Sequence, residues 1–153
     1  MHVEERLREM GIVLPSAWQD APNRVRCVTV DKLVYVSGHG PFDANIKPLV
    51  IGKVGGELTL EQGYEAARLT GVAMLGTLKG YLGDLDKIHR WVKVLGFINC
   101  APGFHNTPAV LHGFSDLITQ AFGEAGRHTR SAVGVYTLYH NTPVEVEAVV
   151  QIA

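Results

Sequence analysis

RSAVGVYTL (130–138) and VEVEAVVQI (144–152) close the chain, joined by Tyr139-His140-Asn141-Thr142-Pro143. Both segments are rich in β-branched residues. The Asn and Pro between them mark a turn, so the stretch predicts two strands of a hairpin. Strand side chains alternate, which puts Glu145, Glu147, Val149 and Gln151 on one face and Val144, Val146, Ala148 and Val150 on the other. A carboxylate among valines has to be paired, exposed or functional, because burying it bare is costly. If Leu138 faces Val144, Glu145 lies opposite Thr137 and Arg130 sits seven residues farther along. At about 3.4 Å per residue that is a separation of roughly 24 Å. Within one hairpin these charges cannot meet, and a site that used both would need two chains.

Working outward, the remaining chain alternates between strand and helix signals. Residues 3–10 predict a short helix ended by Gly11, with Pro15 barring its continuation, and residues 1–22 form an N-terminal helix and extension. Arg24 to Val30 and Leu33 to Ser37 read as two strands around Asp31-Lys32, and Gly38-His39-Gly40-Pro41 breaks the second. Residues 42–56 read as a loop with room for a short strand at 49–51. Thr59-Leu60-Glu61-Gln62 has the form of a capping box and predicts a helix running to Leu82, with Gly83 as its stop. Trp91 to Asn99 is a strand. Thr107 as N-cap and Pro108 in the first turn open a second long helix, whose stripe is Val110, Leu111, Phe114, Leu117, Ile118, Ala121 and Phe122.

The order predicts a single α+β domain over residues 1–153, with two helices on one face of a sheet. Leu33 to Val36 and Val146 to Val150 are apolar on both faces. Helices cover only one face, so the other face is expected to pack against a partner copy.

Composition narrows the function classes. Hydrophobic residues at 46% with 19% charged residues predict a soluble globular protein, expected in the cytoplasm. A net charge of −1 gives no general attraction to nucleic acid or anionic membrane, and no apolar run is long enough to span a bilayer. Cys27 and Cys100 form no metal or redox spacing and read as reduced thiols. His105 and His112 lie across a helix start with His39 far away, so no metal-ligand pattern appears.

At this point the segments LREMGIVLP (7–15), LVYVSG (33–38), LGDLDKIHRWVKVLGF (82–97), GFSDL (113–117), FGEAGRHTRSAVGV (122–135) and PVEVEA (143–148) together resemble the RidA/YjgF-type family of reactive-intermediate deaminases, in its longer branch. The resemblance implies a chorismate-mutase-like fold and a homotrimer with clefts between subunits. It also implies hydrolysis of 2-imino or enamine acids to 2-keto acids and ammonia, without metal or organic cofactor. Its carboxylate-binding arginine falls on Arg130, its cleft glutamate on Glu145, and its Ser-Gly pair on Ser37 and Gly38. A backbone group near Ser37-Gly38 or Ala132 would orient the substrate or a water. Some members were described as ribonucleases or translation inhibitors. This chain departs from the pattern at four positions: Arg24 stands for a tyrosine, His39 for a glutamine, His112 for an asparagine and Ala132 for a cysteine. The changes put more cation and imidazole near the expected cleft.

Each residue also has a plainer reading. Arg130 can be a strand-end arginine closing an intersubunit salt bridge, and Glu145 a solvated group beside a turn. Glu147 reads as structural. Ser37 lacks an adjacent base and suits hydrogen bonding rather than nucleophilic attack. His39 and His112 are surface or core histidines as readily as cleft residues, and Arg24 an exposed strand charge. At the level of function, the alternative is a non-catalytic trimeric protein that binds or senses a small carboxylate metabolite. Ribonuclease is less favoured, because no basic stripe with interleaved aromatics is present.

Overall fold

The computed structural model describes residues 2–153. Its elements run α1 (Val3–Glu9), β1 (Cys27–Val30), β2 (Leu33–His39), α2 (Leu60–Leu82), β3 (Ile88–Asn99), α3 (Thr107–Phe122), β4 (Thr129–Val135) and β5 (Val144–Ile152). The five strands form one mixed sheet in the order β1-β2-β5-β3-β4. The α+β architecture is therefore as the sequence reads, while residues 49–51 form no strand.

The helix ends follow the local chemistry. Thr59 Oγ1 accepts from the Gln62 N–H and the Gln62 side chain returns to the Thr59 N–H, completing the capping box. Gly83 closes α2 in the left-handed conformation, with φ 81°. In α3, Asn106 is the N-cap, and Thr107 is already helical, so the expected cap moves by one residue. The Thr107 hydroxyl instead donates to the Ala132 carbonyl at 3.0 Å and ties α3 to β4.

All seven stripe residues of α3 are buried, against α2 and the sheet. The two helices approach closely because small residues let them. A Cβ on Gly113 would stand 1.9 Å from the Tyr64 carbonyl oxygen of α2, and α3 sits as close to the sheet, where a Cβ on Gly96 of β3 would stand 2.4 Å from Leu111 Cδ2. The side chains of Val94 and Ile98, on the same face of β3 as Gly96, are fully buried beneath the helices.

The expected hairpin of the last two strands does not form. β4 pairs in parallel with β3 through the α3 crossover, and β5 pairs antiparallel with both β3 and β2. The segment between β4 and β5 passes around the end of β3. There Asn99 Nδ2 donates to Asn141 Oδ1 at 2.9 Å and to the Thr142 carbonyl at 3.1 Å. The physical reason lies in β5 itself: its row of Val144, Val146, Ala148 and Val150 is buried along its whole length, which suits the sheet centre, where both of its edges are paired, whereas β4 is left at the margin.

The face of the sheet away from the helices carries Val28, Val30, Tyr35 and Val133, between 42% and 53% exposed. Glu145 and Glu147 lie on this face of β5, whose other face is the buried row Val144, Val146, Ala148 and Val150.

Candidate functional site

A cavity of about 510 Å³ opens where β2 leaves the sheet, lined by Trp18, Arg24, Arg26, Ser37, Gly38, Gly40, Phe42, Ile46, Tyr139 and Glu145. Four expected site residues, Arg24, Ser37, Gly38 and Glu145, thus share one wall system. They come together because β2 bulges: Val36 pairs with Ala148 but His39 pairs with Val146, so three steps on β2 match two on β5. The bulge frees Ser37 and Gly38 from regular pairing beside Glu145.

Glu145 is half-buried, and burial raises its carboxyl above the ordinary value, with the Glu147 charge adding to the effect. Its carboxyl carbon would be 3.0 Å from a Cβ placed on Gly38. The absence of that Cβ is what lets the carboxyl lie against the bulged backbone. Ser37 Oγ and the Trp18 indole Nε1 are buried without a hydrogen-bond partner among the described residues.

His39 takes a different place from its neighbours. It is fully buried, with Nδ1 donating to the Ser37 carbonyl at 2.7 Å and Nε2 accepting from Thr77 Oγ1 at 2.8 Å. Trp18 stacks on it, ring centroids 4.3 Å apart. Burial, reinforced by the nearby Arg26 charge, pushes its pKa down to about 4 against the backbone hydrogen bond. Its neutral ring supports the bulge from beneath rather than lining the cavity.

Arg130, His112 and Ala132 form a second group outside the cavity. Arg130 donates through Nη1 to His112 Nδ1 at 2.9 Å and to Ser115 Oγ at 3.2 Å, and through Nη2 to the Pro108 carbonyl at 3.4 Å. Ser115 Oγ also meets His128 Nε2 at 2.9 Å. Partial burial lowers the Arg130 pKa, opposed by the Asp116 charge.

The register separates the two groups. Arg130 pairs with Val94, itself opposite Ala148, while Glu145 pairs with Phe97, itself opposite Val133. The two residues are therefore three steps along the strands and two strands across, about 14 Å between backbones from spacings of ~3.4 and ~4.8 Å. The hairpin estimate of roughly 24 Å falls with the hairpin. The separation is nonetheless absolute, for another reason: Arg130 points to the α3 side of the sheet and Glu145 to the side away from the helices. A side chain cannot reach through a packed sheet, so one chain cannot bring the pair to one ligand.

Arg26, Trp18, Phe42, Ile46 and Tyr139 line the cavity without having been anticipated. Arg26 had a signal, because Arg24-Val25-Arg26 puts both arginines on one face of an extended segment. Trp18 had none, lying in an extension without regular structure. Among the described residues there is no cluster of three metal-ligating side chains, and no helix is long and apolar enough to cross a membrane.

Comparison with known proteins places this geometry. Residues 4–146 match a family model described as "YjgF/chorismate mutase-like, putative endoribonuclease". The chain is 38% identical over 151 residues to Protein TCP17 of Trypanosoma cruzi, covering 98% of this chain and 94% of that one. It superposes on the crystal structure of Atu1372 from Agrobacterium tumefaciens, a protein of unknown function, with TM-score 0.91 and 39% identity over 99% of this chain and 92% of that chain. The fold alone is shared with E. coli TdcF, solved with bound serine, at TM-score 0.56 and 21% identity over 92% of this chain and 94% of that one.

Proposed function

Because the chain belongs to the YjgF/chorismate-mutase-like family, we propose that it hydrolyses reactive 2-imino or enamine acids to 2-keto acids and ammonia, in clefts between the subunits of a homotrimer. The observation that carries the proposal is the half-buried Glu145 carboxyl, proton affinity raised, held against the Gly38 backbone on the wall of a 510 Å³ cavity. TdcF's serine has the amino-acid carboxylate that such a ligand requires.

The chemistry asks little of the protein. Water adds to C2 of the protonated imine, giving a carbinolamine; a proton then moves from oxygen to nitrogen, the C–N bond breaks, and ammonia leaves as the carbonyl forms. A carboxyl whose proton affinity is raised by burial suits both halves: it takes a proton from the attacking water and returns it to the departing nitrogen. Ser37, on the cavity wall with an Oγ that has no partner among the described residues, is assigned the hydrogen bond to the substrate or the water.

The substrate carboxylate needs a cation, and Arg130 offers the bidentate fork that a carboxylate matches. Since Arg130 and Glu145 point to opposite sides of one sheet, the proposal has Arg130 of a second copy complete the cleft. The apolar face bearing Val28, Tyr35 and Val133 gives that copy a surface to bury. No nucleic acid is assigned a part: His39, with both ring nitrogens engaged in the core, is not placed to act on a phosphodiester.

The test is ammonia release from 2-imino acids generated in situ by an amino-acid oxidase. Wild type is expected to accelerate hydrolysis over the uncatalysed rate, and Glu145→Gln to lose that acceleration while still binding 2-keto acids. No acceleration across short, branched and aromatic imines would remove hydrolysis as the activity and leave a carboxylate-binding protein. RNA cleavage lost in Glu145→Gln would move the reading to a nuclease.

A further inference from the structure

Two arginines in the Glu145 cavity have no task in imine hydrolysis as such. Arg24 and Arg26 both line it. Arg24 Nη1 donates to Asn23 Oδ1 at 2.8 Å, and Arg26 Nε donates to the Gln19 carbonyl at 3.0 Å. The Arg26 guanidinium also lies 5.3 Å from the Trp18 ring centroid. These contacts orient the two groups; the nearby Asp20 carboxylate accepts from the Arg26 backbone N–H at 2.9 Å and does not pair with either guanidinium. The ion pairs among the described residues are Arg68–Glu65, Lys79–Glu4 and Arg127–Glu124, and neither cavity arginine takes part in one. The one carboxylate on the cavity wall is Glu145.

Size argues in the same direction. Cavities of about 300–1,000 Å³ take drug-sized ligands, so 510 Å³ is far more than the smallest imino acids fill. Trp18, Phe42, Ile46 and Tyr139 give the cavity an apolar wall along which a longer chain can lie.

From these observations we infer that the cavity selects a dianionic ligand: a 2-imino or 2-keto acid whose side chain ends in a second carboxylate, held by Arg24 and Arg26. The first carboxylate then goes to Arg130 of the neighbouring copy, and the reacting carbon lies between the two, beside Glu145. The inference rests on the reading above for its chemistry, but its test does not depend on turnover.

The test is calorimetric titration of the full-length protein with 2-oxoglutarate and with 2-oxopentanoate, which has the same carbon chain without the second carboxylate. Wild type is expected to bind the dicarboxylate at least about tenfold more tightly, the scale of one charge-assisted hydrogen bond. Arg26→Gln is expected to bring the ratio of the two affinities close to one, and Arg26→Lys to retain part of it, with circular dichroism confirming that each variant is folded. Equal affinities in wild type, a ratio indifferent to Arg26→Gln, tighter binding of an aromatic 2-keto acid, or no binding of any of these ligands would overturn the inference. Failure of the two readings is separable. Hydrolysis without dicarboxylate preference sinks this inference alone, whereas dicarboxylate preference without hydrolysis sinks only the hydrolase.

Discussion

The two ends of the proposed chemistry are built in opposite ways. Around Glu145 the sheet is broken on purpose: a bulge, a glycine and a buried histidine displace β2 so that a carboxyl rests against bare backbone in a cavity. Around Arg130 the structure is regular. The arginine stands in paired β4 and is aimed by α3 through His112, Ser115 and the Pro108 carbonyl. The first arrangement tunes a proton affinity by burial, and the second fixes a fork of donors. The sheet lies between them.

The sharpest contrast is chemical. If Glu145 moves protons, Glu145→Gln should lower kcat by about 10²–10⁴, the usual scale of general acid–base catalysis. Affinity for a 2-keto acid should change little, which titration would check. An equal loss of kcat and binding would instead make Glu145 a binding group like Arg130.

The next effect concerns the support beneath the bulge. His39 has a folded pKa of about 4 and an unfolded value near 6.5. Above pH 6.5 both states are neutral and this residue adds no pH dependence. As pH falls from 6.5 toward 4 the unfolded chain takes up a proton that the folded one refuses, so stability is lost over that window, on the order of 3 kcal/mol. His39→Gln should flatten that part of a stability-versus-pH curve measured by denaturant unfolding. An unchanged slope in the variant would assign the acid sensitivity to other groups.

A smaller loss is expected at Gly38. A Cβ there meets the Glu145 carboxyl at 3.0 Å, so Gly38→Ala should turn that carboxyl aside and cost up to about 10²-fold in kcat. Melting temperature should move little, because the contact is with the end of a side chain. Smaller again is Arg130→Lys, which keeps the charge and loses the fork. Its KM for imino acids should rise about tenfold with kcat nearly unchanged. A fall in kcat alone would place Arg130 in the reacting step and erase the division of labour.

How much of this was legible in the sequence follows from what each signal encodes. The helices were readable because their information is local: a capping box at Thr59 to Gln62, and a seven-residue stripe on α3 that is buried throughout. The neighbours of each strand were not. The segment from Tyr136 to Pro143 looks like a hairpin turn, yet Asn99 captures it and β3 slips between β4 and β5. The apolar row Val144, Val146, Ala148 and Val150 of β5 did show in the sequence, but the pattern reports burial and not which strands do the burying. The site divides in the same way. Arg24, Ser37, Gly38 and Glu145, each singled out in the sequence, line one cavity, whereas Trp18 reaches them from an irregular extension that no periodicity could place. His39 shows the limit of position alone, since one residue beyond the cavity wall the chain turns into the core.

The central claim is that one cleft takes Glu145 from one copy and Arg130 from another. It is tested most directly by mixing. Glu145→Gln and Arg130→Ala proteins, each inactive or nearly so alone, would be unfolded together, refolded at equal concentration and assayed for imine hydrolysis. In closed assemblies with sites between subunits, random mixing makes about a quarter of the clefts wild type, so about a quarter of wild-type activity should return. A mixture no more active than its components would contradict the shared cleft.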